Sequence, residues 1–189
     1  GLMLGLLLAR SGVDVTVIEK HQDFLRDFRG DTIHPSTLEA IHELGFLDEL
    51  LALPHQKAYQ LHAEIAGRSA TIADFSRLPT RAKFIAFMPQ WDFLNFLAEK
   101  AGEYPRFRLQ MSTEVTSLRW DNERVVGVNV RQGDRDLVLE ADLVIGADGR
   151  NSIVRKAAGL DVQSFGTATD LLWMKVSKEA GDPQQAMGH

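Results

Sequence analysis

The stretch Ala141-Asp142-Leu143-Val144-Ile145-Gly146-Ala147-Asp148-Gly149-Arg150-Asn151-Ser152-Ile153-Val154-Arg155 reads as a buried strand that enters a tight turn and then a helix. Leu143, Val144 and Ile145 form the apolar run, Gly146 and Gly149 bracket Asp148, and Ser152 to Ala158 take up helical spacing. Glycines at such a turn let the backbone approach a ligand closely. Asp148 falls at the carboxyl edge of the expected strand. Read from the residues alone, it serves equally as a turn residue that stabilises its own backbone.

The start of the chain carries a related pattern. Leu2 to Arg10 is rich in good helix formers, Ser11-Gly12 is a stop, and Val13 to Ile18 is a β-branched run expected to be a buried strand ending at Glu19. Helix, tight turn and strand make the second half of a βαβ unit. The preceding strand is expected outside the chain, and Asp182 to His189 stops without a helix, so a fragment cut at both ends is expected. In a dinucleotide fingerprint a Gly-rich turn places backbone N–H groups against a pyrophosphate, and an acid about 20 residues later takes ribose hydroxyls. With Gly1 as the third glycine of G-x-G-x-x-G, Glu19 stands in that register. Gly1 and Gly5 as mere packing glycines, and Glu19 as a solvated strand end, are the plain alternatives.

Between these segments the chain alternates in character. His21 to Asp31 is a loop, Pro35-Ser36 starts a helix that Gly45 ends, and a short helix covers about Leu47 to Leu51. Short strands around Leu61 to Ile65, Ala70 to Ile72 and Phe84 to Phe87 suggest a separate sheet. Gln90 to Ala101 is a helix with Phe93, Leu94, Leu97 and Ala98 on one face. Arg106 to Gln110, Glu114 to Trp120 and Arg124 to Arg131 are extended, Asp134 to Glu140 returns as a hairpin partner, and Thr169 to Val176 is one more strand.

Composition narrows the function. The chain has 189 residues, 44% hydrophobic and 25% charged, which suits one ordinary globular domain. Against 26 Asp+Glu there are 21 Lys+Arg, a net charge of −5 with no long like-charge run, so a nucleic-acid footprint is absent. There is no cysteine, which excludes disulfides and Cys-based metal sites and fits a reducing cytoplasm. The apolar run at the start is too short for a membrane span and lacks the flanks of a signal peptide. His34, His42, His55 and His62 show no zinc-ligand spacing, and no serine sits in a G-x-S-x-G elbow. Neither a metal site nor a nucleophilic triad is expected.

The pattern D-x-x-I-G-A-D-G-x-x-S-x-V-R, matched from Asp142 to Arg155, resembles the D-G motif of the class A flavoprotein monooxygenases, the p-hydroxybenzoate hydroxylase family. The resemblance extends over nearly the whole chain, except that the first strand, the first two glycines and the later G-D motif are absent. It implies an α/β fold, a Rossmann-like FAD-binding domain with a partial inserted β-sheet substrate domain. The implied organisation is residues 1–57 and 88–163 for FAD, 58–87 for substrate-domain strands, and 164–189 for the start of a second substrate segment. The cofactor-binding residues it implies are Gly1, Glu19, Lys20, Arg29, Gln90, Val115, Asp148 and Gly149. Glu19 would take the ribose, Arg29 and Gln90 the phosphate and ribose region, and the backbone at Val115 the adenine. Without the resemblance, Arg29 is a partner for Asp27 or Asp31, Gln90 a helix cap and Arg155 an exposed helix residue.

The resemblance further implies that NAD(P)H reduces FAD and that the reduced flavin forms a C4a-hydroperoxide with O2, which passes one oxygen atom to a small aromatic substrate. The cofactor carries that chemistry, so no side chain is assigned as catalytic acid or base. Rival readings are a flavin-dependent reductase or halogenase of the same fold, and a non-catalytic nucleotide-binding fragment. Taken alone, the fragment is expected to retain no FAD and to be inactive.

Overall fold

A computed structural model describes residues 1–25, 31–65, 67–166, 177, 181 and 187–188. In chain order the elements are α1 (Leu2–Arg10), β1 (Val15–Ile18), β2 (Thr32–Ile33), α2 (Pro35–Glu43), α3 (Leu47–Ala52), β3 (Gln56–Ala58), β4 (Gln60–Ile65) and β5 (Arg68–Asp74). There follow β6 (Ile85–Phe87), α4 (Gln90–Gly102), β7 (Phe107–Gln110), β8 (Thr113–Asp121), β9 (Arg124–Gln132), β10 (Arg135–Glu140), α5 (Ile153–Ala157) and β11 (Met187–Gly188). The chain divides into two compact units, Gly1–Phe24 with Leu97–Asp170, and Leu25–Phe96 with Leu171–His189. The expected strand from Thr169 to Val176 lies outside the described residues.

In the first unit β1 and β7 pair in parallel, Val15 opposite Phe107 and Ile18 opposite Gln110. A parallel pair needs a crossover connection, and the Leu25–Phe96 segment of the second unit lies within it in sequence. Helix α1 packs on this pair with Leu2, Gly5, Leu6 and Ala9 buried, while Leu4 and Leu7 remain exposed. The helix is therefore one-faced by burial although it is apolar all round. A Cβ on Gly5 would lie 2.6 Å from Val17 Cγ2 and 3.0 Å from Phe107 Cε2, so this glycine sets how closely the helix approaches the strands. Strands β8, β9 and β10 form an antiparallel meander in the order β10-β9-β8.

One expected strand is not formed. Residues 143–145 make no ladder, and Leu143 and Ile145 are 74% and 51% exposed. An apolar run becomes a strand only where a neighbour completes its hydrogen bonds, and none of the described strands pairs with it. For the same reason β1, paired on one edge among the described residues, is half-buried rather than buried and begins at Val15, not Val13.

In the second unit, β2, β6 and β3 form an antiparallel sheet in the order β2-β6-β3, and β11, β4 and β5 form a second three-stranded sheet. The short strands β2 and β3 are additions to the sequence reading. Each exists through its pairing with β6, Thr32 opposite Phe87 and Lys57 opposite Ala86. Helices α2 and α3 bury Leu38, Ile41, Leu47 and Leu50. The compact units divide near residues 24 and 96, and β2 and β3 join the second unit through their pairing with β6. Among the described residues no helix is long and apolar enough to cross a membrane.

The Gly5 contact is testable. Val17 is β-branched and stiff, so a methyl at position 5 must move the strand. Overpacking costs about 1 to 3 kcal/mol, and alanine returns about 1 through helix propensity. Gly5→Ala is expected to lower the urea midpoint. A midpoint that is unchanged or raised would show that α1 has room to withdraw.

Candidate functional site

The turn after residue 145 is built by side chains that each meet a local requirement. Val154 of α5 crosses over Gly146, where an added Cβ would lie 2.9 Å from Val154 Cγ1, so only glycine fits. Gly149 takes φ +78, which turns the chain toward α5. Ser152 caps α5, its Oγ accepting the Arg155 N–H at 2.9 Å and donating to Asp148 Oδ1. Asp148 Oδ2 accepts the N–H groups of Ile153 at 2.7 Å and Val154 at 3.2 Å. Arg155 donates from Nη2 to the Arg150 carbonyl at 2.8 Å.

Asp148 is thus committed to the first turn of α5, as one of the sequence alternatives has it. Partial burial raises its carboxyl, but the donors from Ser152, Val154, its own N–H and Ile153 outweigh that and hold it below the usual carboxylate range. With the carboxylate facing α5, it is the backbone of residues 146–149 that is left to meet a ligand.

This turn lies at the start of α1. A Cβ built on Gly1 would be 3.7 Å from the Ala147 side chain and 3.9 Å from Val17 Cγ1. Gly1 is the N-cap residue, no side chain caps the helix, and no acidic residue occupies its first turn. Glu19 follows β1, where its N–H donates to the Gln110 carbonyl at 2.9 Å and its carbonyl accepts from the Thr113 N–H at 3.0 Å. Its Oε1 accepts the His21 N–H at 3.0 Å. Lys20 is exposed beside it, and Val115 lies two residues beyond Thr113 on β8, an edge strand among the described residues.

A single apolar cluster ties these pieces together. Leu118, Val128 and Val130 form its buried centre, and Ile18, Val115, Val144 and Val154 pack around it with Val125 and Leu139. Ile18 precedes Glu19, and Val144 and Val154 flank the glycine turn on either side. Gly1, Glu19, Val115, Asp148 and Gly149 therefore belong to one unit with one core. Gln90 is the exposed first residue of α4 and belongs to the second unit. Arg29 lies outside the described residues.

Sequence reasoning placed Gly146 and Ser152 in the D-G pattern but named neither among the cofactor-binding residues. The signal for Ser152 was present as a cap residue directly before the apolar Ile153-Val154. Gly146 was read as a turn glycine, whereas its packing against Val154, eight residues later, had no signal in the sequence.

A cap of this kind at a solvent-exposed turn is worth about 0.5 to 1 kcal/mol. Because the folded pKa of Asp148 is depressed, its contribution is present above the unfolded value of about 4 and is lost as pH falls through the folded value. Asp148→Asn is expected to be less stable by that amount at pH 7, with the gap closing toward pH 3, as read by denaturant unfolding across that range. A gap independent of pH would remove the charge from the account.

The family described as FAD binding domain matches residues 1–189. The chain is 34% identical over 183 residues to 6-methylpretetramide 4-monooxygenase of Streptomyces rimosus, covering 95% of this chain and 43% of the relative. It is 29% identical over 185 residues to a dialkyldecalin synthase of Streptomyces rugosporus, covering 97% of this chain and 37% of that one. The crystal structure of the flavin-dependent monooxygenase PieE in complex with FAD and substrate superposes with a TM-score of 0.69 at 25% identity, over 84% of this chain and 30% of that one. The chain thus spans less than half the length of these relatives. With the D-G motif intact and the match running through all its residues, the chain belongs to the FAD-binding domain family of the class A flavin monooxygenases.

Proposed function

We propose that this chain holds FAD within an NAD(P)H-consuming monooxygenase that transfers one oxygen atom of O2 to a small aromatic molecule. The supporting observation is the contact of Ala147 with Gly1, which sets the glycine turn against the start of α1. The helix start offers uncapped N–H groups and the positive end of a dipole, without an acid to repel an anion, and so suits a pyrophosphate. Glu19 accepts the adenosine ribose hydroxyls, with Lys20 beside it, and the backbone at Val115 meets the adenine. The backbone of Gly149 borders the same ligand, and Asp148 holds that turn in place through α5. Arg29 and Gln90 serve the phosphate and ribose region, and strands within 58–87 and 164–189 contribute to a substrate sheet.

Once bound, FAD supplies electron transfer from NAD(P)H and the activation of O2. The chain's own residues bind and orient it, and none is assigned a proton transfer. A second reading keeps FAD and drops the oxidation. It is favoured by the 29% identity to a dialkyldecalin synthase and by the likeness, at 30% identity and a TM-score of 0.68, to the Diels-Alderase PyrE3.

Titration of the full-length apoprotein with FAD tests the shared part. Glu19→Ala is expected to weaken FAD by roughly ten- to a hundredfold, the worth of charge-assisted hydrogen bonds. An unchanged dissociation constant would return Glu19 to the role of a solvated strand end. NAD(P)H oxidation stimulated by a phenol supports the monooxygenase. Bound flavin without such oxidation supports the second reading.

A further inference from the structure

Two consecutive N–H groups of the link between β7 and β8 donate to the segment that carries Glu19. Ser112 donates to the His21 carbonyl at 2.8 Å and Thr113 to the Glu19 carbonyl at 3.0 Å. In extended backbone successive N–H groups point to opposite sides, so a chain running straight from β7 into β8 would bring only one of them to this segment. The bend is made at Ser112, whose φ of +51 lies in the left-handed region. That conformation is costly for serine and free for glycine, and residues held in it cluster where a functional geometry depends on them.

Thr113 ties the bend to the neighbouring sheet. It is buried and lies opposite Gln132 in the pairing of β8 with β9. Its Oγ1 donates to the Met111 carbonyl at 3.0 Å and accepts from Gln132 Nε2 at 3.1 Å. The clamp reaches the carboxylate through His21, whose N–H donates to Glu19 Oε1 at 3.0 Å while its carbonyl is the one that Ser112 holds. All of these residues belong to the first unit. We propose that Ser112 and Thr113 are positioning residues for Glu19, holding the Glu19–His21 backbone so that the carboxylate is aimed at the two free hydroxyls of the adenosine ribose. They act through Glu19 and need no contact with the ligand. The assignment rests on the reading that Glu19 takes the ribose of FAD.

The experiment titrates full-length apoprotein with ADP and with its 2′,3′-dideoxy analogue, which differ only in the ribose hydroxyls that Glu19 would accept. Wild type is expected to favour ADP by about tenfold or more, and Glu19→Ala to show no preference. Ser112→Val places a β-branched residue where the left-handed region excludes it, and Thr113→Val keeps the branched shape without the hydroxyl. Each is expected to lose most of the preference, about five- to tenfold, while the analogue binds as it does to wild type. Ser112→Gly adopts the bend freely and is expected to keep the preference. If Ser112→Val does not fold, Thr113→Val decides. Folded valine variants that retain the preference overturn the positioning role and leave Glu19 on the ribose. An equal loss for both nucleotides also overturns it, by making the bend merely structural. Wild type that binds FAD but does not distinguish the two nucleotides overturns the Glu19 reading and this assignment together.

Discussion

The packing of Ile18, Val115, Val144 and Val154 around Leu118, Val128 and Val130 is the constraint on which the candidate site depends. These side chains come from the end of β1, the β8–β9 pair, the segment after β10 and the first turn of α5. Burying an aliphatic side chain of this size is worth about 1.5 to 3 kcal/mol, more than any exposed polar contact nearby. Ile18 directly precedes Glu19, Val115 is itself proposed to meet the adenine, and Val144 and Val154 flank the glycine turn. The polar groups are therefore positioned by an apolar core directly beneath them, and the site holds its geometry without relying on surface ion pairs.

The turn itself divides its labour between side chain and backbone. Asp148 and Ser152 spend their polar atoms on one another and on the N–H groups that open α5. Those donors have no partner within the helix, and unmet they would be a cost at a short helix end. Glycine at 146 and 149 then keeps the other side of the turn free of side chains. A motif that reads in sequence as ligand-binding is in structure first a self-supporting cap, and the ligand role proposed for it rests on its backbone.

Much of this was legible from residue pattern. The helices at 2–10, 35–43 and 90–102 and the strands at 107–140 follow from periodicity and from stop residues, since their partners are close in the chain or their faces are strongly apolar. The run at Leu143 to Ile145 was read as a strand on composition, yet a strand is a property of a pair, and composition does not report the partner. The short strands β2 and β3 were missed for the mirror-image reason, as Thr32–Ile33 and Gln56–Ala58 have little pattern of their own and exist through β6. On α4 the expected apolar face was displaced, with Phe96, Leu97, Lys100 and Ala101 buried and Phe93 and Leu94 only partly so. Lys100 at a buried position carries an ion pair to Glu103 at 2.8 Å, which the hydrophobic pattern does not anticipate. The D-G turn and the glycine at 146 stand out in the sequence because their spacing is local, whereas the packing of Val154 over Gly146 and of Ala147 near Gly1 arises from contacts the pattern does not report.

The parallel pairing of β1 with β7 has a consequence for how the molecule reaches its fold. Asp14, just before β1, is bonded to Arg106, just before β7, across a sequence separation of 92. Contacts that distant are slow to form, because the entropy of closing the loop is lost before any packing offsets it. Here the intervening chain is not a passive loop, since most of it forms a unit with its own buried residues. Its collapse shortens the effective separation that β1 and β7 must close. During synthesis β1 emerges with its partner still unmade, and an early-exposed parallel strand is a hazard for mispairing. Its brevity and the threonine in Val15-Thr16-Val17-Ile18 limit that hazard until β7 arrives.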